Sequence, residues 1–143
     1  MKTNNIFIVF IGVFLVLMVG CSNVIKNEGN KIVVEKIVGE NDKYEYFNEI
    51  SDSKEVKNVR DILYSISWEN VKVNMTRHAD YKFHFENSKE KHKSNGLIYD
   101  LWISPNKDKI ELVIESESKY VQLNEEKSKE LFEIITGKKL NED

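Results

Sequence analysis

The chain of 143 residues contains a single cysteine, Cys21, which closely follows an uncharged run of fourteen residues, Ile6–Val19. A thiol is a strong nucleophile once it is deprotonated, and a lone cysteine excludes an intramolecular disulfide. A positively charged start, an apolar segment of about 7–15 residues and small residues after it are typical of a secretory signal peptide. A helix of this length reaches only about two-thirds of a ~30 Å hydrocarbon core, so a transmembrane helix is the weaker interpretation.

The residues that lead into Cys21, Met18-Val19-Gly20, resemble the bacterial lipobox, which usually begins with leucine instead of methionine. The resemblance implies transfer of diacylglycerol to the Cys21 sulfur and cleavage between Gly20 and Cys21. We therefore expect a signal peptide over residues 1–20 and a lipid-anchored tether over residues 21–30. The mature protein would be held on the extracytoplasmic face of the cell membrane of a Gram-positive-type bacterium, because two or more acyl chains anchor stably.

The remaining reactive side chains form no recognisable catalytic or metal-binding motif. His78, His84 and His92 lack the close paired spacing of zinc ligands, and no Gly-x-Ser-x-Gly motif is present. Several carboxylates on adjacent predicted strands could form an acid–base pair or bind calcium: Asp100, Glu111, Glu115 and Glu117. Acidic strand faces are more simply explained by solvation, so we predict no metal and no cofactor.

The charge of the chain argues against a nucleic-acid partner. Lys and Arg number 21 against 24 Asp and Glu, which gives a net charge of −3 and no basic footprint. With 41% hydrophobic and 31% charged residues, the chain can form a packed core. A short basic stretch, Lys89–Lys93, falls in a predicted loop and could contact lipid head groups.

Hydrophobic periodicity predicts one α+β domain over residues 31–143. Alternation predicts strands over residues 31–38, 44–50, 71–75, 81–85, 97–104, 110–115 and 120–123. Helical spacing and a capping-box start at Asp52 predict a helix over Ser53–Ile66, with Arg60 facing solvent. A second helix should begin after Asn124 and end at Gly137. We expect an antiparallel sheet of about five to seven strands with both helices on one face.

The strand alternation also divides the sheet into a core face and an outer face. The predicted core residues are Phe83, Phe85, Leu97, Tyr99, Leu101, Ile103, Ile110 and Leu112. The outer face should carry Lys82, His84, Asp100, Trp102, Glu111 and Val113. Trp102 is a large aromatic among charges, and tryptophan is enriched in interface hot spots. We therefore take Lys82, His84, Asp100 and Trp102 as candidate binding residues; Ile98, on the same side, leaves open that Trp102 is core.

Two segments, "YDLWISPNKDKIELVI" and "KYVQLNEEKSKELFEIITG", are similar to the YhfM-like small lipoproteins of low-GC Gram-positive bacteria, over most of residues 30–140. The resemblance implies lipid anchoring and supplies no active-site residues. The leading hypothesis is a lipid-anchored, extracytoplasmic binding or accessory domain that contacts a protein partner at the cell surface. Two alternatives stay open: an enzyme with a carboxylate- or histidine-based site, and a sensor or inhibitor domain that acts on a partner protein.

Overall fold

The computed structural model describes residues 27–39, 42–89 and 96–142. The predicted signal peptide, the candidate lipidation residues Gly20 and Cys21, and His92 lie outside these ranges. Within the same ranges, no helix is both long enough and apolar enough to span a bilayer.

One open antiparallel sheet of seven strands carries the fold, in the spatial order β2-β1-β4-β5-β6-β7-β3. The elements along the chain are β1 (Lys31–Val38), β2 (Lys43–Ile50), α1 (Ser53–Ser65), β3 (Glu69–Asn70), β4 (Tyr81–Glu86), β5 (Ile98–Ile103), β6 (Ile110–Ile114), β7 (Lys119–Gln122) and α2 (Glu125–Thr136). Short 3-10 helices follow β6 at Glu115–Glu117 and α2 at Leu140–Glu142. The predicted α+β class is confirmed.

The two long helices of the described residues begin where their capping residues predict, and α2 also ends at its predicted glycine. The Asp52 carboxylate accepts hydrogen bonds from the backbone amides of Lys54 (2.9 Å) and Glu55 (3.0 Å) at the start of α1. Asn124 accepts one from the amide of Lys127 at 2.9 Å. α2 ends at Gly137, whose φ of 70° is the left-handed conformation that glycine adopts without a steric penalty.

Both helices pack on one face of the sheet, and the core lies between the helices and the sheet. The alternating aromatic residues of β4 and Tyr99 of β5 are buried there, and the Phe83 and Tyr99 rings stack with centroids 4.8 Å apart. Six of the eight predicted core residues are buried: Phe83, Phe85, Tyr99, Leu101, Ile110 and Leu112. Leu97 and Ile103 pack against this core but are only partly buried, because Leu97 precedes β5 and Ile103 is its last residue.

The predicted strand over residues 71–75 is wrong. The only pairing in this region is the two-residue strand β3, which pairs with β7 at one edge of the sheet. Since β4 lies four positions away in the sheet, residues 71–80 have to cross the face that the helices leave free. We call residues 71–80 the crossing segment. Val73 and Met75 pack toward the sheet while Lys72 and Asn74 are exposed, which explains the misleading alternation.

The start of the described chain is fixed to α1, which corrects the prediction that Arg60 faces solvent. The Arg60 guanidinium is half-buried, lies 5.3 Å from the Phe85 ring centroid and donates hydrogen bonds to two backbone carbonyls. These carbonyls belong to Asn27 (3.2 Å) and Gly29 (2.7 Å). Tyr99 also donates its hydroxyl hydrogen bond to the Asn27 side chain. Residues 27–30 of the predicted tether are therefore packed against the domain.

Candidate functional site

The crossing segment and the outer face of the sheet enclose a cleft of about 270 Å³. Residues 73–79 form one wall, and side chains from β2, β4, β5 and β6 form the other. Trp102 and Val113 are nearly inaccessible to solvent and form an apolar floor. We call this the outer cleft. It is close in size to the smallest ligand pockets, which start at roughly 300 Å³.

Three of the four candidate binding residues lie together in the outer cleft. Lys82 on β4 is directly opposite Asp100 on β5 in the strand register, and Trp102 follows two residues along β5. His84 shares their face but pairs with Ile98 at the other end of β5 and does not line the cleft. The period-two pattern thus correctly placed these four residues on one face of the sheet.

Trp102 is buried, so the expectation that it faces solvent is wrong. The side chain is 6% exposed and packs with Ala79 of the crossing segment and with Val113. Its indole nitrogen donates a hydrogen bond to the Arg77 carbonyl at 2.9 Å. The crossing segment therefore covers the centre of the outer face. Trp102 is part of a small apolar core on this face, which is the alternative that the sequence left open.

Lys82 and Asp100 form a largely buried ion pair in the outer cleft. The Lys82 Nζ atom lies 2.9 Å from Asp100 Oδ1, and the two side chains are 31% and 6% exposed. Burial raises the pKa of Asp100, and the nearby ammonium of Lys82 only partly opposes this. Burial lowers the pKa of Lys82, but its contacts with Asp100 outweigh that effect and leave the pKa raised. Lys82 Nζ also lies 4.6 Å from the Tyr44 ring centroid.

Polar contacts hold the end of the crossing segment against the sheet. The Arg77 guanidinium donates to the Asp80 carboxylate at 2.6 Å and to the Ile103 carbonyl at 2.8 Å. The other Asp80 carboxylate oxygen accepts from the Ile103 amide at 2.7 Å. Tyr44 donates its hydroxyl to the Ala79 carbonyl at 2.8 Å. These bonds fix the wall of the cleft over residues 77–80.

The four carboxylates considered from the sequence divide between the cleft and the surface. Asp100 and Glu115 line the outer cleft, whereas Glu111 accepts a hydrogen bond from Gln122 at 3.2 Å and Glu117 is exposed elsewhere. Within the part of the chain that the structure describes, no group of three or more His, Cys, Asp or Glu side chains could hold a metal ion. The lining of the cleft combines charged side chains with apolar ones.

Among the charged and aromatic residues of the outer cleft, sequence reasoning missed Tyr44 and Arg77, and it did not connect Glu115 with Lys82. Tyr44 and Glu115 were assigned to predicted strands, but their approach to Lys82 depends on the strand order. Arg77 lies in a segment without strand or helix periodicity. Its spacing of three residues from Asp80 was the only local signal of the ion pair that fixes this segment.

One comparison with known proteins gives a match. The sequence model of the YhfM protein family matches residues 25–141, a range that includes all the strands and both α-helices described above. The comparisons with curated proteins and with solved structures give no match.

Proposed function

We propose that this chain, which belongs to the YhfM protein family, is a lipid-anchored extracytoplasmic domain that binds its ligand in the outer cleft. Two independent features support the two halves of the proposal. The sequence around Cys21 supports the anchor, and the buried Lys82–Asp100 pair supports the binding site.

The buried ion pair is the observation that carries the binding role. Taking two charges out of water costs several kcal/mol per ion, and apolar residues of similar volume are often as stable or more stable. A domain that needed only stability would fill this position with apolar side chains like those on the opposite face. Here the pair instead lines a cleft with an apolar floor, a combination that is common in ligand sites.

A thermal-shift experiment on the full chain in nonionic detergent tests the binding role. A ligand that binds only the folded state stabilises it by RT ln(1 + [L]/Kd), so a panel of small cationic, anionic and neutral compounds should contain stabilisers. The control is the double variant Lys82→Met/Asp100→Leu, which removes both charges of the pair. Compounds that stabilise this variant as much as the natural chain would place the binding elsewhere and contradict the proposal.

Substitution of the cysteine tests the anchor separately. Cys21→Ser should abolish incorporation of radiolabelled fatty acid and leave the precursor uncleaved, because the thioether cannot form without the thiol. Normal labelling of this variant would exclude lipidation at Cys21 and would leave the binding role untouched.

A further inference from the structure

The first described residues of the chain are fastened to the domain at several points. Asn27 is 5% exposed, and its side chain accepts a hydrogen bond from the hydroxyl of Tyr99. The Arg60 guanidinium holds the backbone through the carbonyls of Asn27 and Gly29. Hydrogen bonds from a charged donor are roughly twice as strong as neutral ones. We call residues 27–30 the fastened segment, because this part of the predicted tether is a fixed part of the domain.

Gly29 and Asn30 attach the fastened segment to the end of β4. A Cβ atom on Gly29 would lie 2.7 Å from the backbone nitrogen of Glu86, so only glycine allows this close approach. The Asn30 amide donates to the Glu86 carbonyl at 3.0 Å. The Asn30 side chain accepts from the amide and the hydroxyl of Ser88 at 2.9 Å and 2.8 Å. The chain therefore leaves the domain at the end of the sheet where β1 begins and β4 ends.

The fastened segment shortens the free part of the predicted tether. Six Cα-to-Cα steps separate Cys21 from Asn27, and they reach at most roughly 20 Å. Ten steps separate Cys21 from Lys31 at the start of β1, and without the fastening contacts they would reach roughly 35 Å. A lipid on Cys21 holds that residue at the bilayer surface. The point where the chain leaves the domain then stays within about 20 Å of the membrane.

The length of the sheet decides which orientations such a tether permits. Residues 28–31, 86–89 and 96–98 meet where the chain leaves the domain, and we call them the proximal end. The opposite, distal end carries the turn between β5 and β6. β1 has eight residues at about 3.3 Å each, so the two ends lie about 26 Å or more apart. Turning the distal end toward the membrane would require the tether to span this distance, which exceeds its reach of about 20 Å.

We propose that the proximal end faces the bilayer that holds the anchor, and that the fastened segment prevents the domain from turning over. This inference rests on the proposed lipid anchor and adds an orientation to it. Lys82 and Trp102 lie four residues along their strands from Glu86 and Ile98, about 13 Å from the proximal end. The outer cleft then stands at most roughly 35 Å from the membrane, so its ligand lies in the zone next to the bilayer.

The charges of the proximal end are mixed, so the tether and not attraction to anionic lipid sets the orientation. Lys31 Nζ pairs with Glu49 at 3.0 Å and with Glu86 at 2.8 Å. Glu28 and Lys89, which carry opposite charges, are both exposed. The orientation should therefore be the same on a bilayer without net charge.

Paramagnetic relaxation in nanodiscs tests the orientation. The chain is purified from bacterial membranes, its lipid is verified by mass spectrometry, and the ¹⁵N-labelled protein is placed in phosphatidylcholine nanodiscs that contain a gadolinium-chelate lipid. The relaxation enhancement of an amide falls with the sixth power of its distance from gadolinium. Because the two ends lie about 26 Å or more apart, the amides of residues 87–89 and 96–98 should show at least about tenfold larger enhancement than those of Asn106 and Lys107.

A double variant and a matched control test the role of the fastened segment. Arg60→Leu/Tyr99→Phe removes the hydrogen bonds to this segment and lengthens the free tether, so the ratio of enhancements between the ends should fall at least about threefold. Lys57→Leu/Tyr46→Phe makes the same two changes at exposed residues and should leave the ratio unchanged. Insertion of Gly-Ser-Gly-Ser-Gly-Ser after Val24 lengthens the tether without altering the domain, and it should lower the ratio as the first variant does.

The outcomes separate the orientation from the anchor. Equal enhancement at both ends of a lipidated chain, or larger enhancement at the distal end, refutes the orientation and leaves the anchor intact. An unchanged ratio in both the first double variant and the insertion variant refutes the role of the fastened segment. A chain that carries no lipid by mass spectrometry refutes the anchor and the orientation together, and it leaves the binding role of the outer cleft untouched.

Discussion

Truncation of Trp102 to alanine tests whether the crossing segment covers the outer face in solution. The side chain is 6% exposed, and removing a buried aromatic ring of this kind costs about 3–5 kcal/mol of unfolding free energy. The truncation also removes the 2.9 Å hydrogen bond that the Trp102 indole donates to the Arg77 carbonyl. A hydrogen bond of this kind contributes about 0.5–1.5 kcal/mol of net stability. We expect a total loss of about 3–5 kcal/mol, since the crossing segment relaxes partly into the space.

A conservative variant and an exposed control separate these contributions. Trp102→Phe keeps an aromatic ring but loses the N–H donor and part of the ring volume, so we expect a loss of about 1–2 kcal/mol. Tyr46→Ala also truncates an aromatic residue of the sheet, but Tyr46 is 68% exposed on the edge strand β2. A surface substitution of this kind should change stability by about 0.5 kcal/mol or less.

Urea unfolding followed by far-ultraviolet circular dichroism measures the effect, because this signal does not depend on the tryptophan that is removed. A loss of 3–5 kcal/mol should also lower the melting temperature by roughly 10–20 °C in a domain of this size. If Trp102→Ala costs no more than Tyr46→Ala, the crossing segment does not cover Trp102. The open outer face expected from the sequence would then be correct.

Three further predictions concern the ion pair and the start of the domain. Lys82→Met should cost about 2–4 kcal/mol in urea unfolding because it leaves the Asp100 charge buried without its partner, and Lys82→Met/Asp100→Leu should recover most of that loss. The pKa of Lys82 is raised above 10.5 in the folded state. The stabilisation from its charge is therefore complete below pH 10.5 and is lost as the pH rises through the folded-state pKa. The natural chain should lose more stability between neutral and strongly alkaline pH than the double variant, which has no lysine at this position. Arg60→Leu should speed hydrogen exchange of the Asn30 amide about tenfold or more, because the two charged hydrogen bonds to the Asn27 and Gly29 carbonyls are lost. Lys57→Leu on the exposed face of α1 should leave this exchange rate unchanged.

The sequence predicts those parts of the fold that are determined by residues close together in the chain. The caps at Asp52, Asn124 and Gly137 satisfy backbone groups within a few residues, so their positions follow from residue type. The alternation in β4 arises from burial on one face, and the same parity in β5 correctly separated the core residues Tyr99 and Leu101 from Asp100 and Trp102, which are buried on the other face.

The error at residues 71–75 shows what alternation does not report. A period of two indicates that one side of an extended chain is buried, and it contains no information on hydrogen bonding to a neighbouring strand. Val73 and Met75 are half-buried against the outer face, which produces the same pattern as a strand. Only the position of β3 at the far edge of the sheet distinguishes the two cases, and strand order is not a local property.

The outer cleft could be predicted only in part for the same reason. Lys82, Asp100 and Trp102 share a face by parity, so the sequence grouped them. Their burial depends on the crossing segment, and the addition of Glu115 depends on the pairing of β5 with β6. Arg60 was assigned to solvent because its helical position is off the apolar stripe, but the carbonyls that it binds come from another part of the chain.

The pairing of β3 with β7 has a consequence for the order of folding. The partner residues of Glu69 and Asn70 are Tyr120 and Lys119, about fifty residues later in the chain. During synthesis the crossing segment is therefore made long before the strand and the floor on which it rests. Closing such a distant contact carries a large entropic cost, so we expect residues 69–80 to dock after the rest of the sheet has formed. The same residues should open first when the native protein unfolds locally, and the outer cleft would be the last part of the domain to form.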